Sequence, residues 1–153
     1  MSAAPATRII ELPDIAATQA LAASVAGVLR AGDAILLDGP LGAGKTEFAR
    51  ALLRSLTGDA SLDVPSPSFT LIQEYETRIG PISHFDLWRL NGPTDLSELG
   101  WEEAREGVVL VEWPDRLGAL RPADALTIAL HPVSEAARRA VLSGWADRIG
   151  RIA

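Results

Sequence analysis

The chain has 153 residues, 48% of them hydrophobic, with 14 basic against 20 acidic side chains and a net charge of −6. That length buries one real core, so residues 1–153 are expected to form a single domain, with residues 1–6 as a flexible tail. No cysteine is present, which excludes disulfides, thiolate catalysis and cysteine-ligated zinc, and the acidic balance without a basic stripe argues against tight autonomous nucleic-acid binding.

No basic start leads into an apolar stretch at the N-terminus, and no apolar run approaches about 18 residues, so a cytoplasmic protein without membrane contact is expected. Residues 7–12 read as a strand, and Pro13-Asp14 turns into an alanine-rich amphipathic helix over 15–30, ended by Gly32. Residues 34–38 form a short buried strand, residues 39–46 a glycine loop, residues 47–56 a helix and residues 57–63 a further loop. Val64-Pro-Ser-Pro-Ser-Phe-Thr70 cannot continue that helix, because two prolines flank Ser66 and force an extended segment. Residues 69–76 and 82–88 alternate as strands joined by a turn at 78–81, which places an antiparallel hairpin in the sheet. Residues 94–105 look helical, with capping signals at Thr94 and Ser97, and Glu102-Glu103 reads as its solvated face. Gly107 opens a buried strand that ends at Glu112 and Pro114, and residues 125–130 form another. Residues 138–142 suit its antiparallel partner, although residues 134–140 also suit a short helix.

The glycine loop carries the chemistry. Residues 39–46 read GPLGAGKT, a complete match to the phosphate-binding pattern GxxxxGK[ST], and Lys45 is the only lysine in the chain. In such a loop Gly39, Leu41, Gly42, Ala43, Gly44 and Glu47 supply backbone around the phosphates, and the following helix adds about half a positive charge. Lys45 reaches the β- and γ-phosphates, and the Thr46 hydroxyl ligates magnesium. The loop therefore implies a bound Mg-nucleotide, with ATP and Mg2+ as cofactors.

Such a site needs an acidic group at the end of a neighbouring apolar strand, to hold the cation or its waters and to orient the attacking nucleophile. Glu112, after Val108-Val-Leu-Val111, and Asp86, after Ile82-Ser-His-Phe85, both have that form, and either could ligate the cation directly. His84 alone reads more as a packed histidine than a catalytic one. The four tryptophans are core or interface anchors by default, but Trp113 adjoins Glu112 and could line the nucleotide pocket or a partner surface. Ser66, Ser68 and Thr70 follow the phosphate-loop helix and suit a switch-like loop that senses the γ-phosphate.

Residues 41–46 (LGAGKT), 64–71 (VPSPSFTL), 84–90 (HFDLWRL) and 111–114 (VEWP) together resemble the bacterial TsaE family, also called YjeE, over residues 9–142. The resemblance implies a three-layer fold of the P-loop NTPase kind, with a mixed sheet, and a weak Mg-dependent ATPase. It implies work with the TsaB and TsaD proteins, which install a threonylcarbamoyl group on N6 of adenosine 37 in tRNA, so that tRNA is met indirectly through the complex. By matching position, Lys45 becomes the phosphate lysine, Thr46 and Glu112 the magnesium residues, and Asp86 a residue needed for hydrolysis. Thr18 falls where the family contacts the base side of the nucleotide, while its place near the start of the first helix also suits a cap. Pro40 stands where the family usually has Asp, Glu47 and Ser68 where it has Thr, and Trp88 where it has Tyr. Two other readings remain beside the ATPase subunit: a small-molecule kinase using the same loop, and a nucleotide-gated binding module without catalysis.

Overall fold

The structure is a computed structural model and describes residues 6–67, 70–91 and 93–152, apart from the side chains of Pro93 and Thr94. Seven strands make one mixed sheet, β1 (Thr7–Leu12), β2 (Ala34–Asp38), β3 (Ile72–Thr77), β4 (Gly80–Asp86), β5 (Val108–Glu112), β6 (Leu126–Pro132) and β7 (Arg138–Ser143), in the order β1-β7-β6-β2-β5-β4-β3. The four inner strands β6, β2, β5 and β4 run parallel, and β3, β7 and β1 add antiparallel flanks. The antiparallel portion thus includes the expected hairpin of β3 with β4 and the pair β6 with β7, so residues 134–140 do not form a helix.

The inner strands read as continuous apolar runs because both faces of a parallel sheet are covered. On one face, α1 (Ile15–Ala26) and α2 (Lys45–Thr57) bring Leu21, Val25, Phe48 and Leu52 against Ile35, Leu37, Leu110 and Ile128. On the other, α3 (Pro93–Glu98), α4 (Trp101–Ala104) and the 3-10 segment Pro114–Leu120 bring Leu96, Trp101 and Leu117 against Leu36, Phe85, Val109 and Val111. These are the three layers expected of the P-loop NTPase-like fold.

Several element boundaries differ from expectation, one for a long-range reason and the others through local backbone turns. The first helix ends at Ala26, not residue 30, because hydrogen bonds from elsewhere take over its last turn: the Arg148 guanidinium donates to the Val28 carbonyl at 2.9 Å, and the Asp33 carboxylate accepts from the Arg30 amide at 2.6 Å. The expected helix over 94–105 is two short helices, because Gly100 adopts a left-handed backbone (φ 83) between them. Ser97 is no cap there; it lies inside α3 and its hydroxyl donates to Glu102 at 3.2 Å, while the Thr94 side chain lies outside the described residues. Strand β3 begins only at Ile72, since Leu71 is left-handed (φ 68) and its amide bonds back to the Pro67 carbonyl at 2.7 Å. Strand β4 ends at Asp86, whose Oδ1 accepts from the Trp88 amide at 3.1 Å and draws the chain into a turn. At the N-terminus, Ala6 packs against the core and its carbonyl accepts from Gly144, while residues 1–5 of the expected tail lie outside the described residues.

A bidentate ion pair fastens the C-terminal end to this frame. Arg148 donates to both oxygens of Asp33 at 2.7 and 3.0 Å, with its guanidinium 4.0 Å from the Trp145 ring centroid. Both side chains are nearly buried, and the carboxylate holds the Arg148 pKa above its ordinary value. Removing one partner leaves the other charge in the interior, so Arg148→Ala is expected to cost about 3 kcal/mol, read as a lower urea midpoint at unchanged slope.

Candidate functional site

The parallel strands deliver their carboxyl ends to one edge, where open α/β sheets hold ligands. Register decides what meets there: Leu37 of β2 and Asp86 of β4 both lie opposite Glu112 of β5. Residues 39–44 leave β2 and wrap the start of α2, with Gly44 as its left-handed N-cap (φ 100) and no side chain capping the exposed amides. An uncapped helix start of 13 residues beside a glycine loop is an anion site by its free N–H groups and its dipole.

Gly39 fixes the entry to the loop. Its φ is +144, and a Cβ there would lie 2.6 Å from the Leu130 carbonyl oxygen of β6, so only glycine lets the loop pass. The loop is closed by the Ala43 amide bonding to the Pro40 carbonyl at 3.1 Å; Ala43 is buried, and Leu41 stands 85% exposed at the rim. A residue that sequence reasoning treated only as part of a strand, Arg138 of β7, holds the other side. Its Nε donates to the Ala43 carbonyl at 3.1 Å and its Nη2 to the Gly42 carbonyl at 3.2 Å, while Nη1 takes three carbonyls of its own turn. Nothing local in the sequence announces that contact, which spans 95 residues.

Lys45 is buried, with Nζ donating to the Gly39 carbonyl at 2.5 Å and lying 3.4 Å from the Trp113 ring centroid. Burial lowers its pKa below the usual 10.5, and Glu112, Asp86, Asp38 and Asp115 pull it partly back. An ammonium with a depressed folded pKa costs stability at every pH below that pKa, and the cost fades as pH rises from it to 10.5. Anionic oxygens arriving at the loop would relieve that cost. Trp113 is itself left-handed (φ 60, ψ 56), half-buried, and packed 4.4 Å from Trp88 between ring centroids.

The carboxylates are held differently. Glu112, 2% exposed, accepts from the Thr46 hydroxyl at 3.1 Å and faces His84 Nε2 at 2.7 Å. Asp86 accepts from the Ser66 hydroxyl at 3.1 Å and the Trp88 amide at 3.1 Å. A hydroxyl with two strand-end carboxylates is an all-oxygen donor set, and Mg2+ favours one or two carboxylates with phosphate oxygens and waters, so these residues fit that ion. The Thr70 hydroxyl accepts from Gln73 at 3.3 Å, and Ser68 lies outside the described residues. Glu47, which stands where the resembling family has Thr, is paired with Arg50 at 2.9 Å.

Two cavities meet at Gly44 and Glu47. One, about 570 Å³, is lined by Lys45, Thr46, Ser66, Asp86, Glu112 and Trp113. The other, about 760 Å³, is lined by Asp14, Ile15, Thr18 and Arg138 and is mostly apolar. Thr18 is buried on the helix and is not its cap; that role belongs to Asp14, whose carboxylate accepts from the Ala17 amide at 2.8 Å. Each cavity has the size of a small-molecule site, and the two share Gly44 and Glu47 in their walls.

The profile of the TsaE family, described as "Threonylcarbamoyl adenosine biosynthesis protein TsaE", matches residues 12–141. Relatives named tRNA threonylcarbamoyladenosine biosynthesis protein TsaE include one of Rickettsia felis, 38% identical over 119 residues, 77% of this chain and 69% of its own. One of Nostoc sp. is 36% identical over 139 residues (88% and 84%), and one of Aquifex aeolicus 42% over 99 residues (65% and 71%). The crystal structure of YdiB from Bacillus subtilis superposes with a TM-score of 0.77 at 26% identity, covering 99% of this chain and 94% of that one.

The tight passage at Gly39 gives a test of the loop's geometry. Gly39→Ala is expected to destabilise the fold by about 1–3 kcal/mol through collision with the β6 backbone, measured by equilibrium urea unfolding.

Proposed function

The chain belongs to the TsaE family, and from that premise we propose that it is a weak Mg-dependent ATPase serving tRNA threonylcarbamoyladenosine formation with the TsaB and TsaD proteins. One observation carries the ATPase reading: at a single sheet edge, a phosphate loop with its lysine and hydroxyl faces two buried strand-end carboxylates.

The free amides at the start of α2 and the loop backbone receive the phosphate oxygens of ATP. Lys45 leaves the Gly39 carbonyl and the Trp113 face for the β- and γ-phosphates, trading a desolvated position for a countercharge. Thr46 and Glu112, which bond to each other, would hold the magnesium ion, with Asp86 opposite Glu112 in register. That ion, when bound, neutralises charge developing on the transferred phosphoryl group and its leaving oxygen. Asp86 or Glu112 orients the water that attacks the γ-phosphorus, and Ser66 ties the segment after α2 to that carboxylate. The apolar cavity beside Thr18 takes the base.

The net charge of −6 disfavours direct contact with tRNA phosphates, so tRNA is met through the TsaB–TsaD pair. Among the described residues no helix is long and apolar enough to cross a membrane; the proposed service to tRNA is work of the cytoplasm.

Phosphate release from Mg-ATP by the purified protein is expected to be slow alone and faster with TsaB and TsaD. It should fall about 10²-fold or more in Lys45→Ala and vanish with a metal chelator. A phosphorylated metabolite in place of free phosphate would instead mark a kinase. Normal tRNA modification with an ATP-binding but hydrolysis-dead Asp86→Ala protein would mark a nucleotide-gated binding module.

A further inference from the structure

We propose that His84 is a positioning residue for Glu112, donating its Nε2–H to the carboxylate and fixing the direction in which that carboxylate faces Thr46. This rests on the phosphate-site reading above.

His84 is fully buried in β4, two residues before Asp86 and on the same face, and it pairs with Leu110. Glu112 is two residues beyond Leu110, so the imidazole reaches it diagonally across the strand pair, at 2.7 Å from Oε2. The other ring nitrogen, Nδ1, has no hydrogen-bond partner among the described residues. With the ring hydrogen on Nε2, Nδ1 keeps only a lone pair. With it on Nδ1, a buried N–H would be orphaned and Nε2 would turn a lone pair onto a carboxylate oxygen, an arrangement disfavoured on both counts. The geometry therefore fixes the tautomer.

A histidine retained for packing alone would gain nothing from a half-satisfied ring in the sheet interior, where phenylalanine or leucine carries no such cost. The described side-chain partners of Glu112 are His84 and Thr46. Thr46 belongs to the phosphate and cation site and turns toward whatever binds there. His84 is the anchor that stays, held by strand pairing on both sides through Gln73 of β3 and Leu110 of β5. Asp86, by contrast, is held from segments that follow α2 and β4, through Ser66 and the Trp88 amide.

The test compares wild type, His84→Phe and His84→Gln in steady-state Mg-ATP hydrolysis, alone and with TsaB and TsaD, with circular dichroism to check folding. In His84→Phe, kcat is expected to fall about tenfold or more, with KM for ATP within about twofold of wild type and a higher Mg2+ half-saturation concentration. His84→Gln returns an N–H donor near the Nε2 position and is expected to recover kcat to within about threefold of wild type. A folded His84→Phe with wild-type kcat, or a folded His84→Gln as impaired as His84→Phe, overturns the positioning role and leaves the ATPase reading intact. No hydrolysis by wild type under either condition overturns both. Should His84→Phe fail to fold, nitrogen-15 NMR of the wild-type ring decides: hydrogen on Nε2 is expected, and a ring with hydrogen on Nδ1 and none on Nε2 overturns the proposal.

Discussion

One ammonium buried against two strand-end carboxylates sets the terms for the rest of this molecule. Lys45 cannot sit at the carboxyl edge of the sheet without a carbonyl to bond, an aromatic face to lie on, and negative charge nearby to offset desolvation. The fold supplies all three from different elements. The carbonyl comes from Gly39, which requires the close pass over β6; the ring comes from Trp113, which requires a left-handed backbone after β5; and the carboxylates come from the ends of β5 and β4, the next two strands along from β2. The lysine is thus held at a desolvation cost that these contacts offset only in part.

The two carboxylates differ in stiffness. Glu112 is gripped from within the sheet by a side chain whose own strand is paired on both edges. Asp86 is gripped by Ser66, from the proline-flanked stretch, and by the turn that carries Trp88. A carboxylate fixed in the sheet suits a ligand that must be met in the same place each time. One fixed by loops suits a group whose placement follows what those loops do, and here they also carry the half-exposed Trp88, 49% accessible, packed on Trp113.

Much of this was legible in the chain, because the loop motif, the apolar strand before it and the helix after it are local signals. The strand-end positions of Asp86 and Glu112 were legible for the same reason, since an apolar run that stops at an acid places that acid at a sheet edge. What stayed hidden depends on register and distance. The i, i+2 spacing of His84 and Asp86 puts both on one face of a strand, yet only the pairing of β4 with β5 brings His84 onto Glu112. Arg138 gave no sign at all, being an arginine at the start of an edge-proximal strand. Of the helix boundaries that differ from expectation, the one at residue 26 shares that cause in part, since Arg148 reaches Val28 across 120 residues, whereas the break at Gly100 is local, a left-handed glycine.

The Arg138 contact also bears on when the site comes into being. The loop carbonyls at Gly42 and Ala43 are finished by a guanidinium that leaves the ribosome 95 residues after Ala43. The strand bearing it also closes the sheet between β1 and β6. A nascent chain that has already made its glycine loop, its lysine and both carboxylates still lacks the brace on the loop's outer side. The braced form of the glycine loop is therefore a property of the finished sheet, reached only once β7 has paired between β1 and β6.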